Sequence, residues 1–203
     1  MRAFPRLFLS LAAALSLVAL AAPARAQWGE AVASLRFDPS VLVADGHEIV
    51  RRAPPDAVDG LLQAIAASAR EPGEAEAVCQ LFDPAADRSL AGLNEVAARL
   101  PAQSRERLAG AVATLFVTAL QAPPQPYDEE AARRALKQAG VRATLMQDGF
   151  MAGLQGDHHP ARCRSVRTLL DVLVERPREE RVGVARLLLA EGLDLLPLPA
   201  TRP

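Results

Sequence analysis

Aromatic side chains are the first thing this chain is short of: six Phe, one Trp and one Tyr in 203 residues. Sugar and peptidoglycan sites stack rings on aromatic faces, and flavin or haem pockets favour them, so the shortage argues against those classes. Lysine is almost missing as well. Of the 23 basic residues only Lys137 is a lysine, and with abundant Ala, Arg and Pro this reads as the product of a GC-rich bacterial genome. No excess of positive charge is present, the formal net charge being −1. Nucleic acid or an anionic membrane surface as main partner would call for basic patches, so both are set aside. Sustained two-residue alternation and hairpin turn signals are also lacking, which argues against strands.

Catalytic signatures are lacking too. There is no Gly-x-Ser-x-Gly elbow, phosphate-binding glycine loop or dinucleotide fingerprint. His47-Glu48 opens a zinc-protease helix motif, but the second His that motif needs is replaced by Arg51. No cofactor is implied.

What is there begins with an export signal. Arg2 and Arg6 give a positive start, Leu7 to Ala22 form an apolar run of about 16 residues, and Ala24-Arg25-Ala26 offers small residues at a signal-peptidase site. The run is shorter than the roughly 20 residues that span a bilayer, and Pro23 follows it. Residues 1–26 are therefore expected to be cleaved, with a periplasmic or secreted product and no stable membrane insertion. Their removal takes three Arg and no acid, leaving 177 residues with 20 basic and 24 acidic side chains, net −4. A chain of that length is most simply one domain, 27–203.

The two cysteines, Cys79 and Cys163, read as a pair in an oxidising compartment. Closing a loop of about 84 residues would stabilise the fold by roughly 4–5 kcal/mol in the chain-entropy treatment. The alternative is two buried thiols.

Apolar spacing and proline punctuation give an all-α chain. Helices are expected over Ser40–Arg52 and from Asp56 as cap onward, with Val58, Leu61, Leu62 and Ile65 on one face. A short helix over Glu74–Phe82 carries Cys79. Leu90–Leu100 stops at Pro101, and a longer helix follows Ser104 as cap. Ala122-Pro-Pro-Gln-Pro126 reads as a linker. Asp128 opens a helix ending at Gly140, a second helix spans Val141–Gln155, and Gly156–Pro160 is a loop. Ser165–Glu175 and Arg178–Leu196 close the chain.

The two halves resemble each other. A shift of 76 positions lays Leu93 on Leu169, Val96 on Val172, Pro101 on Pro177 and Val112 on Leu188. Upstream, Asp59-Gly60-Leu61-Leu62 resembles Asp148-Gly149-Phe150-Met151. The expected architecture is a compact helical bundle, with 56–121 and 128–197 as candidate three-helix half-repeats, one Cys in each.

The segment Gly156-Asp157-His158-His159-Pro160, with Arg162 and Cys163 after it, is the most functional-looking part of the chain. Neighbouring imidazoles and a carboxylate can hold a transition metal, and Cys163 lies four residues beyond His159. A disulfide would withdraw that sulfur, both from a metal and from nucleophilic use with His159 as base. The bland counterpart is a polar loop with Asp157 capping a helix. Asp157, His158, His159 and Arg162 are accordingly candidates for a binding loop, with no metal assigned.

The stretch 148–197 carries Gly149 and Gly153 in one helical segment, then Cys163, an apolar helix with Leu169, Leu170 and Val172, Pro177 among charges, and an Ala/Leu helix ending at Pro197. This resembles the Tai/Rap family of small periplasmic helical proteins, immunity proteins that plug amidase effectors delivered by type VI secretion. That family closes with a second Cys just after the final Pro, where this chain has Leu198. The partner of Cys163 would then be Cys79. The resemblance implies a non-enzymatic protein that binds another protein, an exported hydrolase or effector, and occludes it. The loops at 156–162 and 122–127 are the expected contact points. A small metal-dependent enzyme using His158 and His159, or a structural or assembly factor, are the alternatives.

Overall fold

A computed structural model describes residues 39–83, 85–87 and 90–195. The expected signal segment 1–26, the lead that follows it, and the tail with Pro197 and Leu198 lie outside the described residues. Among those described there are helices and no strand, so the chain is all-α. In chain order the helices are α1 (Pro39–Arg52), α2 (Pro55–Arg70), α3 (Ala75–Gln80), α4 (Leu90–Arg99), α5 (Ala102–Gln121), α6 (Glu129–Met146), α7 (Phe150–Gln155), α8 (His159–Val174) and α9 (Arg178–Asp194). None is long and apolar enough to cross a membrane.

Proline sets three of the helix starts. Pro54, Pro101 and Pro177 are the N-cap residues of α2, α5 and α9, in extended conformation and with no side-chain cap. Two expected caps are thereby corrected. Asp56 sits inside the first turn of α2, where its carboxylate pairs with Arg178. Ser104 is buried in the first turn of α5 and donates to Glu74. Asp128 does cap α6, its Oδ1 accepting from the Ala131 amide at 2.9 Å. The expected stop at Gly140 is not one: α6 runs through it to Met146. A mid-helix glycine costs about 1 kcal/mol. Against that, Ala132, Ala135, Ala139 and Ala143 form a buried stripe that continues on both sides of Gly140. The break comes at Gln147–Gly149 instead, where Gly149 adopts φ 73°, a left-handed conformation open to glycine at little cost. Gly149 thus precedes α7 and Gly153 lies within it.

The packing divides into two clusters. Val58, Leu61 and Leu62 of α2 meet Leu115 and Ala119 of α5, Val166 and Leu170 of α8, and Val182 and Ala185 of α9. A second cluster joins the alanine stripe of α6 to Phe150 of α7, Val172 and Leu173 of α8 and Val184 of α9. Helices α8 and α9 serve both clusters, so each is apolar on two sides. Alanine supplies much of the contact surface, which lets helix axes approach closely. Gly153 of α7 is the tightest such approach. The Asp59-Leu62 segment lies in the middle of α2 while Asp148-Met151 spans a turn and the start of α7, so these sequence-similar segments have different local structures.

Ion pairs and buried arginines tie the helices across the clusters. Arg181 of α9 makes a two-pronged bridge to Asp59 of α2, with Nε–Oδ1 2.5 Å and Nη2–Oδ2 2.8 Å. Hydrogen bonding from Arg181 holds the Asp59 carboxyl below its ordinary pKa, against the opposing effect of burial. Arg186 of α9 is only 3% exposed and donates to the Val50 and Ala53 carbonyls at the end of α1. A cation there satisfies carbonyls that no helical turn follows. The 122–128 connection is tethered as well: Arg52 Nε donates to the Ala122 carbonyl at 2.7 Å and the Gln125 amide to the Arg51 carbonyl at 3.0 Å.

Two substitutions test this packing. A Cβ on Gly153 would fall 2.3 Å from Ser165 Oγ and 2.8 Å from the Ala161 carbonyl oxygen, whereas one on Gly140 meets nothing within 4 Å. Gly153→Ala should therefore lower stability by about 1–3 kcal/mol, and Gly140→Ala should raise it by about 0.5–1 kcal/mol. Urea midpoints of the two variants would show whether they move in opposite directions. Arg186→Met should lose about 1–3 kcal/mol for each carbonyl left without a donor, and equal stability to the parent in the same assay would contradict the capping role.

Candidate functional site

The features that sequence singled out meet where α3 lies against the first turn of α8. Cys79, the fifth residue of α3, is bonded to Cys163 of α8, with Cα atoms 5.2 Å apart. Both cysteines are used, and among the described residues none is free. His159, one turn before Cys163, is about one-third exposed and sits between two carboxylates. Its Nε2 is 2.8 Å from Glu76 Oε1 of α3, and its Nδ1 is 3.3 Å from Asp83 Oδ2 beyond the end of α3. The same Nε2 is 3.4 Å from Cys163 Sγ. Arg162 anchors the acid from the other side, with Nη1 donating to Asp83 Oδ2 at 2.7 Å and Nη2 to the Gly156 carbonyl at 2.7 Å.

The electrostatics follow from those contacts. Hydrogen bonding to Glu76 raises the His159 pKa above its usual value, Asp83 adds to this, and partial burial opposes it. Asp83 is held below the ordinary carboxylate range, first by the Ala85 amide and then by His159 and Arg162. The two carboxylates thus favour the imidazolium form of His159 relative to an unpaired imidazole.

The four candidate loop residues do not form one surface. Helix α8 starts at His159, so the expected loop 156–162 shrinks to Gly156–His158. Pro160 in the first helical turn needs no amide partner, and the cap is the His158 ring, whose Nδ1 accepts from the Ala161 amide at 3.3 Å. Asp157, expected as the cap, is exposed. Arg162 is buried, at 7% exposure. The two imidazoles therefore serve different ends, His158 closing the helix start and His159 facing α3. Among the described residues the one group of three metal-competent side chains is Cys79, His159 and Cys163, with ligand atoms all within 4.8 Å of one another.

Beside this junction lies an apolar groove of about 920 Å³. Its walls come from α1, α2, α4, α5 and α9, with Ile49, Leu61, Val96, Leu108 and Leu189 among the lining residues. Leu81, Phe82, Leu93 and Val112 stand at its mouth, each 36–42% exposed. Glu76, Asp83, Asp87 and Glu95 supply four carboxylates to the lining, against Arg99 and His159. Drug-sized ligand pockets run from about 300 to 1,000 Å³, so the groove is at the roomy end.

No family model, curated protein or solved structure gives a significant match to this chain. The site presents apolar area, carboxylates and an edge fastened by the disulfide. Both sulfurs near His159, those of Cys79 and Cys163, are joined to each other in the bridge.

Sequence inspection missed the groove and the carboxylates that face His159. Glu76, Asp83 and Glu95 are single acids in a chain with 24, and nothing in their spacing marks them. It missed as well the polar cluster under α3, where Glu74, 7% exposed, receives Ser104, and Arg107 Nη2 reaches Ser68 Oγ at 2.7 Å and Glu74 Oε2 at 3.1 Å. A Leu spacing that runs past the buried stripe of α5, to Val112, was the one available hint of a second apolar surface.

The His159 pair predicts a pH dependence with a defined sign. A folded pKa raised above the unfolded value near 6.5 means a stabilising contribution complete below pH 6.5 and lost as pH rises through the folded value. For so exposed a pair the contribution should stay under about 1 kcal/mol. Proton NMR titration should place His159 above an unfolded reference, and Glu76→Gln should bring it down and flatten the alkaline fall in the urea midpoint. A His159 midpoint below the reference would refute the pairing.

Proposed function

We propose that the mature chain is an exported, non-enzymatic binding protein whose groove receives the apolar face of a basic amphipathic helix on another protein. The observation that carries this reading is the groove itself: about 920 Å³ of mostly apolar space with exposed Leu81, Phe82, Leu93 and Val112 at its mouth. A partly exposed cluster of large apolar side chains is costly to leave in water and is what helix-in-groove recognition uses. The exposed Glu95 on the lining favours a partner with a basic residue flanking its apolar stripe. The mature chain's net charge of −4 acts in the same direction at longer range.

Rigidity favours such a role. One edge of the groove is α3 and the residues just after it, and α3 is bolted to α8 by the disulfide. A wall that need not be ordered on binding costs less entropy when the partner arrives. The likeness of residues 148–197 to periplasmic immunity proteins supplies the class of partner, an exported hydrolase or effector that is blocked when one of its helices is held. The connection at 122–128, tied to the end of α1, and the short turn 156–158 are the other candidate contact points for that partner.

The test uses a synthetic Leu/Lys helix with apolar residues at i, i+3, i+4 and i+7, and a scrambled peptide of equal composition. Calorimetry should show one ordered peptide bound per chain, weakening with added salt as carboxylate contacts are screened. Leu93→Gln/Val112→Gln, both positions partly exposed, should reduce affinity at least tenfold while leaving helicity unchanged. Equal binding of the scrambled peptide, or an affinity indifferent to the double variant, would remove the proposal.

A further inference from the structure

The group formed by Cys79, Cys163 and His159 has the composition of a metal site closed by oxidation. We propose that, when the disulfide is reduced by a dithiol, these three side chains bind a zinc-like divalent cation, with Glu76 completing a tetrahedral set. The ligand atoms already lie within 4.8 Å of one another. In a tetrahedral site with metal–sulfur bonds of about 2.3 Å, the sulfurs stand about 3.7 Å apart. Side-chain rotation reaches that separation from helices whose Cα atoms are 5.2 Å apart at the two cysteines.

The surroundings supply what three ligands alone would not. His159 Nε2 faces both Cys163 Sγ, at 3.4 Å, and Glu76 Oε1, at 2.8 Å. A cation taking the place of the proton shared with Glu76 would have imidazole, carboxylate and thiolate on its near side. The other imidazole nitrogen, Nδ1, points to Asp83, which Arg162 holds at 2.7 Å. A carboxylate on the far nitrogen of a ligating histidine fixes its tautomer and orientation and raises its basicity, and removing such a partner typically costs 10–100-fold in metal affinity. Cys79 is buried on α3, and Cys163 lies one turn after His159 on α8.

The balance is simple. Thiol–disulfide exchange with a dithiol delivers two electrons and two protons, cleaving the Cys79–Cys163 bond and leaving the reductant as its own disulfide. The cation then displaces both thiol protons, and the proton on His159 where it is present. The bridge and the metal are thus mutually exclusive ways of fastening α3 to α8. One suits an oxidising compartment, the other a reducing one. This inference does not draw on the groove reading and would survive its loss.

The experiment uses the mature chain with Co²⁺ as probe, under argon, with a phosphine reductant and after its removal. The reduced chain should take up one Co²⁺ with the intense visible bands of a tetrahedral thiolate site, bleached by Zn²⁺, while the oxidised chain shows none. His159→Ala should weaken binding at least tenfold, and Asp83→Asn by about 10–100-fold. If reduction alone melts the chain, far-ultraviolet circular dichroism should report recovery of helix as the cobalt bands appear. Absence of those bands, bands without recovered helix where reduction has melted the chain, or His159→Ala binding as tightly as the parent would each overturn the proposal.

Discussion

Everything near the site depends on how α3 is held. Six residues make less than two helical turns, and a helix that short does not persist in water by itself. It also has no side-chain cap at its start. Three attachments replace intrinsic stability: the bond from Cys79 to Cys163, the buried Glu74 with Ser104 and Arg107, and the pairing of Glu76 with His159. The first also closes a loop with a sequence separation of 84 residues, which restricts the unfolded chain more than it adds contact in the folded one. With α3 pinned, Leu81, Phe82 and Asp83 are delivered to the edge of the groove. Loosening α3 would blur that edge and separate the carboxylates from the imidazole.

The remainder of the bundle is built to do without large rings. Phe150 is the one aromatic among the largest fully buried side chains, and alanine fills much of the interface. Small residues bring backbones close, which is favourable for dispersion but leaves little room for adjustment. Where helices approach that closely, their ends and turns still contain carbonyls that need donors. Arginine meets that need: Arg186 at the end of α1, Arg52 at the Ala122 turn and Arg162 at Gly156 each reach a backbone oxygen. The planar, permanently charged guanidinium with several donors suits the task better than an ammonium would. The near-absence of lysine, first read as a mark of genome composition, thus coincides with a structural use of arginine.

The groove and the bridge act as complementary halves of one surface. In the proposed binding role, the apolar lining would provide affinity without direction, and the carboxylates and His159 at one end would provide charge selection and orientation. His159 belongs to both, lining the groove and touching the bridge, so its protonation alters the charge at the groove edge. Binding there would be sensitive to conditions that the apolar wall alone would ignore.

Secondary structure was legible because it rests on local terms. The 3.6-residue recurrence of Leu, Val and Ala, and the prolines that end or begin helices, determined an all-α chain and the approximate spans of its helices, and the even count of two cysteines pointed to one bond. Local terms misled where a tertiary partner outweighed them. Gly140 reads as a helix end, but the alanine stripe across it packs on α8 and α9 and carries the helix onward. Ser104 and Asp56 read as caps, yet each is drawn off by a distant partner, Glu74 and Arg178. His158 and His159 read as a pair, but an added turn at the start of α8 puts one on the helix cap and turns the other toward α3. Only the tertiary structure decided which acids face His159, which arginines are buried and where apolar surface is left uncovered. Those outcomes depend on residues 30 to 150 positions apart meeting in space, and a periodic pattern along the chain holds no term for such meetings.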